Sequence, residues 1–174
     1  AIIAYPELLQ DPNDQSKYRS VQGTPNNTID PGLESTFIFC ENVFAEVAQL
    51  FPAKYIHVGG DERPPGAWEK SPAVKVLMEK EGLKNTDEVQ SYFFNRIEKI
   101  LAKLDRKVLG WEEIAHGGHL SRKDTAIMSW RSQNAGIAAA KAGRPAIMAP
   151  AQFLYYDLKY IRHAQENGLV WAGI

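Results

Sequence analysis

The sequence has little of three things: cysteine, long apolar runs and an excess of charge of one sign. Its single cysteine, Cys40, cannot form an internal disulfide and lies among apolar residues at helical spacing, which favours a buried structural thiol over a nucleophile. No stretch approaches the roughly 20 apolar residues of a membrane span. With a net charge of −1, neither nucleic acid nor an anionic membrane is expected as a partner.

Short strand-like runs alternate with helical patterns along the 174 residues. Strands are predicted at residues 55–58, 107–111, 126–130 and 146–149. Alternation of strands and helices is typical of a parallel sheet covered by helices. The sequence contains no solenoid-type repeat and no low-complexity linker, so we expect an α/β fold in a single domain.

Apolar spacing and capping residues predict four helices. The first covers residues 35–51 and ends before Pro52. The second has Ser71 as its N-cap, Pro72 at its first position and Gly82 as its C-cap. The third begins after Asn85, with Glu88 as the capping partner, and carries an apolar stripe of Val89, Phe93, Ile97, Ile100 and Leu104. A fourth, rich in small residues, is expected at about 136–142, ended by Gly143.

The most informative motif follows the first predicted strand, where residues 55–62 read YIHVGGDE. Glycine at positions 59 and 60 would allow a ligand or another backbone to approach closely. Asp61 and Glu62 are adjacent acids that repel each other, so that the pair can hold a proton near neutral pH, as a general acid requires. The alternative is a solvated loop start or a charged helix N-terminus.

Polar and aromatic residues also follow the other predicted strands. They are Trp111-Glu112-Glu113, Trp130-Arg131 and Tyr155-Tyr156-Asp157. Because the carboxyl ends of parallel strands meet at one face, we expect these residues to share a rim and to form a pocket with aromatic walls. Taken singly, each tryptophan could instead belong to the core, and Glu112 or Glu113 could simply begin a helix.

These motifs resemble those of the glycoside hydrolase family 20 β-N-acetylhexosaminidases. The similarity rests on GGDE at 59–62 preceded by His57, GWEEI at 110–114 and MSWR at 128–131. It extends, in the family's order, to residues 5–8, 31–32, 34–37, 155–157 and 168–173. The resemblance implies a partial TIM-type (β/α)8 barrel of about strands 4 to 7, truncated at both ends, with residues 1–174 forming a single partial catalytic domain.

The adjacency of Asp61 and Glu62 also bears on the reaction. Ordinary retaining glycosidases place their two carboxyl groups roughly 5–5.5 Å apart, and inverting ones roughly 6.5–9.5 Å apart, on opposite sides of the scissile bond. Sequence neighbours, with Cα atoms about 3.8 Å apart, approach the sugar from the same wall. The second carboxylate is therefore disfavoured as the nucleophile, and another group must attack the anomeric carbon.

The family resemblance implies that this attacker is the acetamido carbonyl oxygen of the substrate, which closes to an oxazolinium-type intermediate. By the same resemblance, Glu62 protonates the leaving oxygen and then activates water. Asp61 orients the acetamide and stabilises its developing positive charge, while Tyr155 donates a hydrogen bond to the acetamide oxygen. These three are the predicted catalytic residues.

The resemblance also implies a substrate-binding set and its ligands. Trp111, Trp130 and Trp171 would enclose the acetamido methyl group and the sugar ring, and Asp157 would accept hydrogen bonds from sugar hydroxyls. The expected substrates are N-acetylhexosamine-containing glycans or chitin oligosaccharides, with no cofactor. The family occurs in periplasmic, extracellular or lysosomal settings.

Three interpretations remain open at this point. The first is the family 20 exo-hydrolase, and the second is an inactive fragment that keeps an N-acetylhexosamine-binding pocket. The third is an unrelated two-carboxylate glycosidase with Glu112, Glu113 or Asp157 as its nucleophile. Because a partial barrel would leave open sheet edges, we expect an excised fragment or self-association into a homo-oligomer.

The histidines are given structural interpretations. His57, inside a strand, is expected to be a satisfied structural residue. His116 and His119 match no strong zinc pattern, so no metal site is expected there.

Overall fold

A four-stranded parallel sheet is the centre of the computed structural model, which describes residues 4–9, 28–64, 66–118, 120–159, 161 and 163–171. The strands are β1 (Tyr55–His57), β2 (Lys107–Trp111), β3 (Ala126–Ser129) and β4 (Ala146–Met148). Each strand pairs with the next one along the chain, in the order β1-β2-β3-β4. This order contains no reversal, so it fits consecutive strands of a barrel wall rather than a doubly wound sheet.

The pairing register advances along the sheet. Tyr55 pairs with Lys107, but Ala126 pairs with Leu109, and Ala146 pairs with Ile127. The strands are therefore staggered in one direction, as they are in a closed barrel.

In the part of the chain that the structure describes, five α-helices accompany the sheet, together with short 3-10 segments at Pro6–Leu8 and Glu112–Ala115. The helices are α1 (Glu34–Leu50), α2 (Pro72–Glu81), α3 (Thr86–Lys103), α4 (Asn134–Lys141) and α5 (Ala151–Leu154). Within the described residues, no helix has the length and apolar character that crossing a membrane requires. The segment Glu112–Ala115 and helix α5 were not predicted, although a helix start at Glu112 or Glu113 was considered.

The predicted caps at Ser71, Gly82 and Asn85 are confirmed, but the Glu88 carboxylate accepts from Lys84 N at 2.9 Å, one residue before the N-cap. Ser71 Oγ accepts a hydrogen bond from Val74 N at 3.1 Å, and Gly82 ends α2 in the left-handed conformation. Asn85 Oδ1 accepts from the backbone N–H groups of Asp87 and Glu88 at 3.0 and 2.9 Å. These signals are correct because each cap depends on residues within one helical turn.

Several predicted ends differ from the structure by one or two residues, and two of these differences have local reasons. Strand β3 stops at Ser129 because the backbone N–H of Trp130 turns away and donates to Glu112 Oε2 at 2.9 Å. Helix α4 begins two residues earlier than predicted, at Asn134, whose backbone N–H donates to Ser132 Oγ at 3.2 Å.

Helices α1 and α3 cover one face of the sheet and form the main core with it. Strand residues Ile56, Val108 and Ile127 are buried beneath these helices. Cys40 is buried in the same cluster, as predicted, and burial raises the pKa of its thiol to about 11. The opposite face of the sheet is more open, with His57 and Ile147 both exposed.

Candidate functional site

One cavity of about 490 Å³ lies beyond the carboxyl ends of the strands. It is lined by Asp61, Glu62, Trp111, Trp130, Tyr155, Asp157, Leu169 and Trp171. The structure therefore brings together all seven residues that the sequence predicts for the site. A volume of this size is typical of a small-molecule pocket.

The loop after β1 carries the acid pair on an unusual backbone. Gly59 and Gly60 have φ values of 71° and 101°, and Glu62 itself has a φ of 48°. A left-handed conformation costs a non-glycine residue roughly 1–2 kcal/mol, so the surrounding contacts must hold Glu62 in place. Such strain is found mostly where function requires it.

Close packing explains why Gly60 is glycine. A Cβ atom at this position would lie 2.3 Å from Ile114 Cγ2 and 3.0 Å from Phe94 Cζ. A Cβ atom on Gly110, in β2, would likewise lie 2.8 Å from Ile114 Cδ1. The acid loop therefore sits directly on the 3-10 segment that follows the neighbouring strand.

Hydrogen bonds fix the same loop from two other sides. Gly59 N donates to His57 Nδ1 at 3.1 Å, and Trp111 N donates to Gly59 O at 3.0 Å. The buried side chain of Gln90, in α3, donates through Nε2 to Gly60 O at 3.0 Å and to Glu113 O at 3.3 Å. Gln90 was not predicted; its only signal in the sequence is an amide next to Val89 on the apolar side of a helix.

Four aromatic side chains form a continuous wall of the cavity. Trp130 contacts Trp111, Tyr155 and Trp171, with ring centroids 6.4, 6.4 and 6.1 Å away. Tyr155 also contacts Trp171, at 5.6 Å. None of these three tryptophans is buried, whereas Trp68 is, so only Trp68 fits the core alternative.

The outer part of the cavity is more open. Trp171 is 48% exposed, and its indole N–H donates to Asp157 Oδ2 at 3.2 Å. The closing motif continues to residues 172–173, which lie outside the described residues.

Glu112 and Glu113, the alternative nucleophiles, point into the protein rather than into the cavity. Both are buried, and neither is among the described residues that line the cavity. Glu112 Oε2 accepts from Trp130 N and from Ser129 Oγ, at 2.9 and 3.2 Å. Glu113 accepts from the Trp130 indole and pairs with Arg131. Carboxylates held in this way are poorly placed to attack a substrate.

Burial and charge act on two titratable groups at the site. Burial raises the pKa of Tyr155, and the carboxylates of Asp61, Asp157, Glu113 and Glu62 raise it further. The hydroxyl therefore remains a hydrogen-bond donor at neutral pH. Burial lowers the pKa of His57, partly opposed by Asp61, so the imidazole is neutral at neutral pH.

His57 is more exposed than a core residue would be. Its ring contacts that of Trp111 edge to face, with centroids 5.1 Å apart. The described residues contain no group of three or more His, Cys, Asp or Glu side chains arranged to hold a metal ion. His119 lies outside the described residues.

Comparison with protein families places the whole chain in one of them. A model described as "Glycosyl hydrolase family 20, catalytic domain" matches residues 1–174. The chain is 42% identical over 174 residues to a beta-hexosaminidase of Vibrio furnissii, covering all of this chain and 28% of that relative. It is 40% identical to a beta-hexosaminidase of Porphyromonas gingivalis, covering 90% of this chain and 20% of that relative.

Solved structures show the same likeness. An exo β-N-acetylglucosaminidase of this family from Vibrio harveyi, in complex with N-acetylglucosamine, superposes with a TM-score of 0.84 at 41% identity, covering 98% of this chain and 27% of that one. A Flavobacterium johnsoniae chitobiase gives a TM-score of 0.78 at 30% identity, covering 91% of this chain and 24% of that one. The chain thus spans about a quarter of the length of these proteins. The predicted α/β fold, a parallel part of a barrel, is confirmed.

Proposed function

Because the chain belongs to glycosyl hydrolase family 20, we propose that it hydrolyses terminal N-acetylglucosamine or N-acetylgalactosamine residues of glycans or chitin oligosaccharides. The observation that supports this most strongly is the single cavity that gathers the acid pair, Tyr155, Asp157 and the three tryptophans. We propose that residues 1–174 form a single, partial catalytic barrel domain that holds these groups.

The proposed reaction is substrate-assisted and retains the anomeric configuration. Glu62 gives its proton to the glycosidic oxygen while the acetamido carbonyl oxygen attacks the anomeric carbon, forming an oxazolinium ion and releasing the aglycone. Glu62 then takes a proton from water, which opens the ion from the opposite face. General acid–base catalysis of this kind contributes typically about 10²–10⁴ in rate.

Asp61 and Tyr155 are proposed to hold the acetamide for this attack. The Asp61 carboxylate accepts the acetamide N–H and stabilises the positive charge that develops on it. The Tyr155 hydroxyl donates to the acetamide oxygen, a role that its raised pKa supports because the donor proton is retained. An internal nucleophile held in a reactive position gains the large effective molarity of a positioned group.

The aromatic wall and Asp157 are proposed to bind the sugar. The rings of Trp111, Trp130 and Trp171 offer apolar faces to the acetamido methyl group and to the C–H face of the ring. Asp157 retains acceptor capacity for sugar hydroxyls, since a single indole N–H occupies one of its oxygens. The similarity to an N-acetylglucosamine complex supports this assignment.

Release of nitrophenol from para-nitrophenyl β-N-acetylglucosaminide tests the proposal, with Glu62→Gln as the matched variant. Turnover that falls by about 10² or more in Glu62→Gln supports Glu62 as the acid. Turnover that is the same in both proteins contradicts it.

A binding-only function is the second candidate, favoured by the exposure of Trp171 on the outer side of the cavity. Titration with N-acetylglucosamine separates the two. Binding without turnover in the unaltered protein supports this second candidate, whereas turnover rules it out.

A further inference from the structure

We propose that Glu113 is a positioning residue that fixes the Trp130 indole as the central wall of the sugar pocket, an inference that rests on the proposed function. From the sequence alone, Glu113 is a candidate only for a nucleophile or a helix start. Its contacts in the folded protein indicate a different role.

The carboxylate of Glu113 holds the indole through both of its oxygens. Trp130 Nε1 lies 3.2 Å from Oε1 and 3.1 Å from Oε2. Glu113 is only 4% exposed, so this charge-assisted bond is largely shielded from water. With its N–H turned toward Glu113, the indole presents its carbon surface to the cavity.

Arg131 completes the arrangement and makes the buried charge tolerable. Its Nη2 lies 2.7 Å from Glu113 Oε1, and its guanidinium lies 5.3 Å from the centroid of the Trp130 ring. The carboxylate is thus paired with a cation on one side and with the indole on the other. The cation in turn lies near the ring that the carboxylate orients.

The neighbouring acid, Glu112, holds the main chain of the same residue. It accepts from Trp130 N at 2.9 Å, so successive carboxylates of the 3-10 segment bind the backbone and the side chain of one tryptophan. Backbone attachment alone leaves the indole free to rotate about its side-chain torsions. Glu113 is the group that selects one orientation.

Fixing Trp130 matters because this ring contacts each of the other three rings of the wall. A rotated indole would lose its stacking on Tyr155, the proposed donor to the acetamide. Glu113 also connects the wall to the acid loop, because its carbonyl oxygen and Gly60 O accept from the same Gln90 amide. Loss of the Glu113 carboxylate should therefore disturb sugar binding more than fold stability.

The direct test follows the Trp130 indole N–H by proton–nitrogen correlation spectroscopy, with Trp130→Phe to assign its resonance. In Glu113→Leu, we expect the resonance to shift and its exchange with solvent to accelerate. Glu113→Gln keeps one acceptor oxygen. Its indole resonance and exchange rate should therefore lie between those of Glu113→Leu and those of the unaltered protein. An indole resonance and exchange rate that stay unchanged in both variants would overturn the proposal.

The functional test compares Glu113→Leu with a control substitution, Glu98→Gln. Glu98 is also a buried carboxylate, but it accepts from Ser121, Arg122 and Thr125, before β3 and away from the cavity. Glu113→Leu should weaken binding of N-acetylglucosamine and raise KM by about tenfold, with a smaller change in kcat. Glu98→Gln should lower the melting temperature and leave the dissociation constant and KM unchanged.

Equal effects of the two variants on KM and on the dissociation constant would show a general loss of structure and overturn the positioning role. If the unaltered protein neither binds nor hydrolyses N-acetylglucosaminides, the proposed function fails. The indole resonance, which needs no substrate, then decides by itself whether Glu113 fixes Trp130.

Discussion

Gly60 shows how strongly a single residue shapes the acid loop. Its φ of 101° suits glycine, and the space a side chain would need is already filled by Ile114 and Phe94. The loop can therefore approach the neighbouring strand end closely enough for Asp61 and Glu62 to line the same cavity as Trp111 and Trp130.

Replacing Gly60 with alanine should destabilise the fold by about 3 kcal/mol, because overpacking and a left-handed backbone both add to the cost. Gly82→Ala is the control, since Gly82 has a similar positive φ of 69°, but a Cβ atom there would meet no described neighbour within 4 Å. Urea unfolding should show a clearly larger loss for Gly60→Ala. Equal losses would contradict the packing argument.

Tyr155 provides a residue-scale prediction of pH dependence. Burial is the main reason that its pKa is raised, and Asp157 is one of the carboxylates that raise it further. Asp157→Asn keeps an acceptor for the Trp171 indole but removes a negative charge. The pKa of Tyr155 should therefore fall, while staying above the usual value for tyrosine because the burial remains.

Phenolate absorbance during an alkaline titration measures this change, with Tyr155→Phe identifying the contribution of Tyr155. The alkaline limb of the activity profile should move to lower pH in Asp157→Asn. A Tyr155 pKa that rises or does not move in this variant would show that the Asp157 carboxylate does not act on the phenol.

At the scale of elements, the 3-10 segment Glu112–Ala115 connects the acid loop to the aromatic wall of the site. It carries Ile114 under the acid loop and the two carboxylates that hold Trp130. Gln90 connects this segment and the acid loop to helix α3. These contacts link α3 to the loop that carries Glu62.

Gln90→Leu should lower stability by about 1–3 kcal/mol, because it leaves the buried acceptor Glu113 O and the partly buried acceptor Gly60 O without their amide partner. It should also reduce kcat, because the acid loop loses one of its attachments. Gln152→Leu is the control, since Gln152 Nε2 bonds a carbonyl, Arg131 O, in an exposed position. Unfolding and steady-state kinetics measure both effects, and an unchanged kcat in Gln90→Leu would contradict the coupling.

The elements also show what the sequence could and could not predict. Caps at Ser71, Gly82 and Asn85 were correct because they depend on near neighbours. The apolar stripe of α3 was incomplete: Phe93 and Leu104 pack against the core but are only partly buried, and the prediction missed two fully buried residues, Phe94 and Leu101. The packing of α3 against α1 and the acid loop decides which of its apolar residues are fully buried. The spacing of residues along one helix does not reveal this.

For the site, the residues that line the cavity were predicted, but the contacts that support them were not. The family resemblance identified the seven residues that the structure brings to one cavity. The supporting contacts of Gln90, Glu112 and Glu113 were missed because their partners lie on other elements. Glu113 and Trp130, for example, are 17 residues apart and meet only when β2 and β3 pair.

For the whole molecule, the described sheet leaves β1 and β4 with one neighbouring strand each. Open edges and an exposed sheet face favour pairing with another strand. We expect copies of this chain to associate through these edges, so that the mass measured by light scattering increases with concentration.

Ile147→Lys tests this association, because Ile147 is a β4 residue that is 41% exposed. The added charge should shift the protein toward the monomer. Ile137→Lys is the control, since Ile137 is similarly exposed, at 45%, but lies on helix α4. A protein that is monomeric at all concentrations, or that responds equally to both substitutions, would contradict association through the sheet edge.

In the proposed reaction, the acetamide of the substrate attacks the anomeric carbon within the cavity that Asp61, Glu62 and Tyr155 line. The most direct measurement compares kcat/KM for nitrophenyl N-acetylglucosaminides whose acetyl group carries none, one, two or three fluorine atoms. Fluorine withdraws electrons from the carbonyl oxygen and weakens it as a nucleophile, so kcat/KM should fall steeply with each added atom. Values that stay level across the series would contradict the proposed reaction.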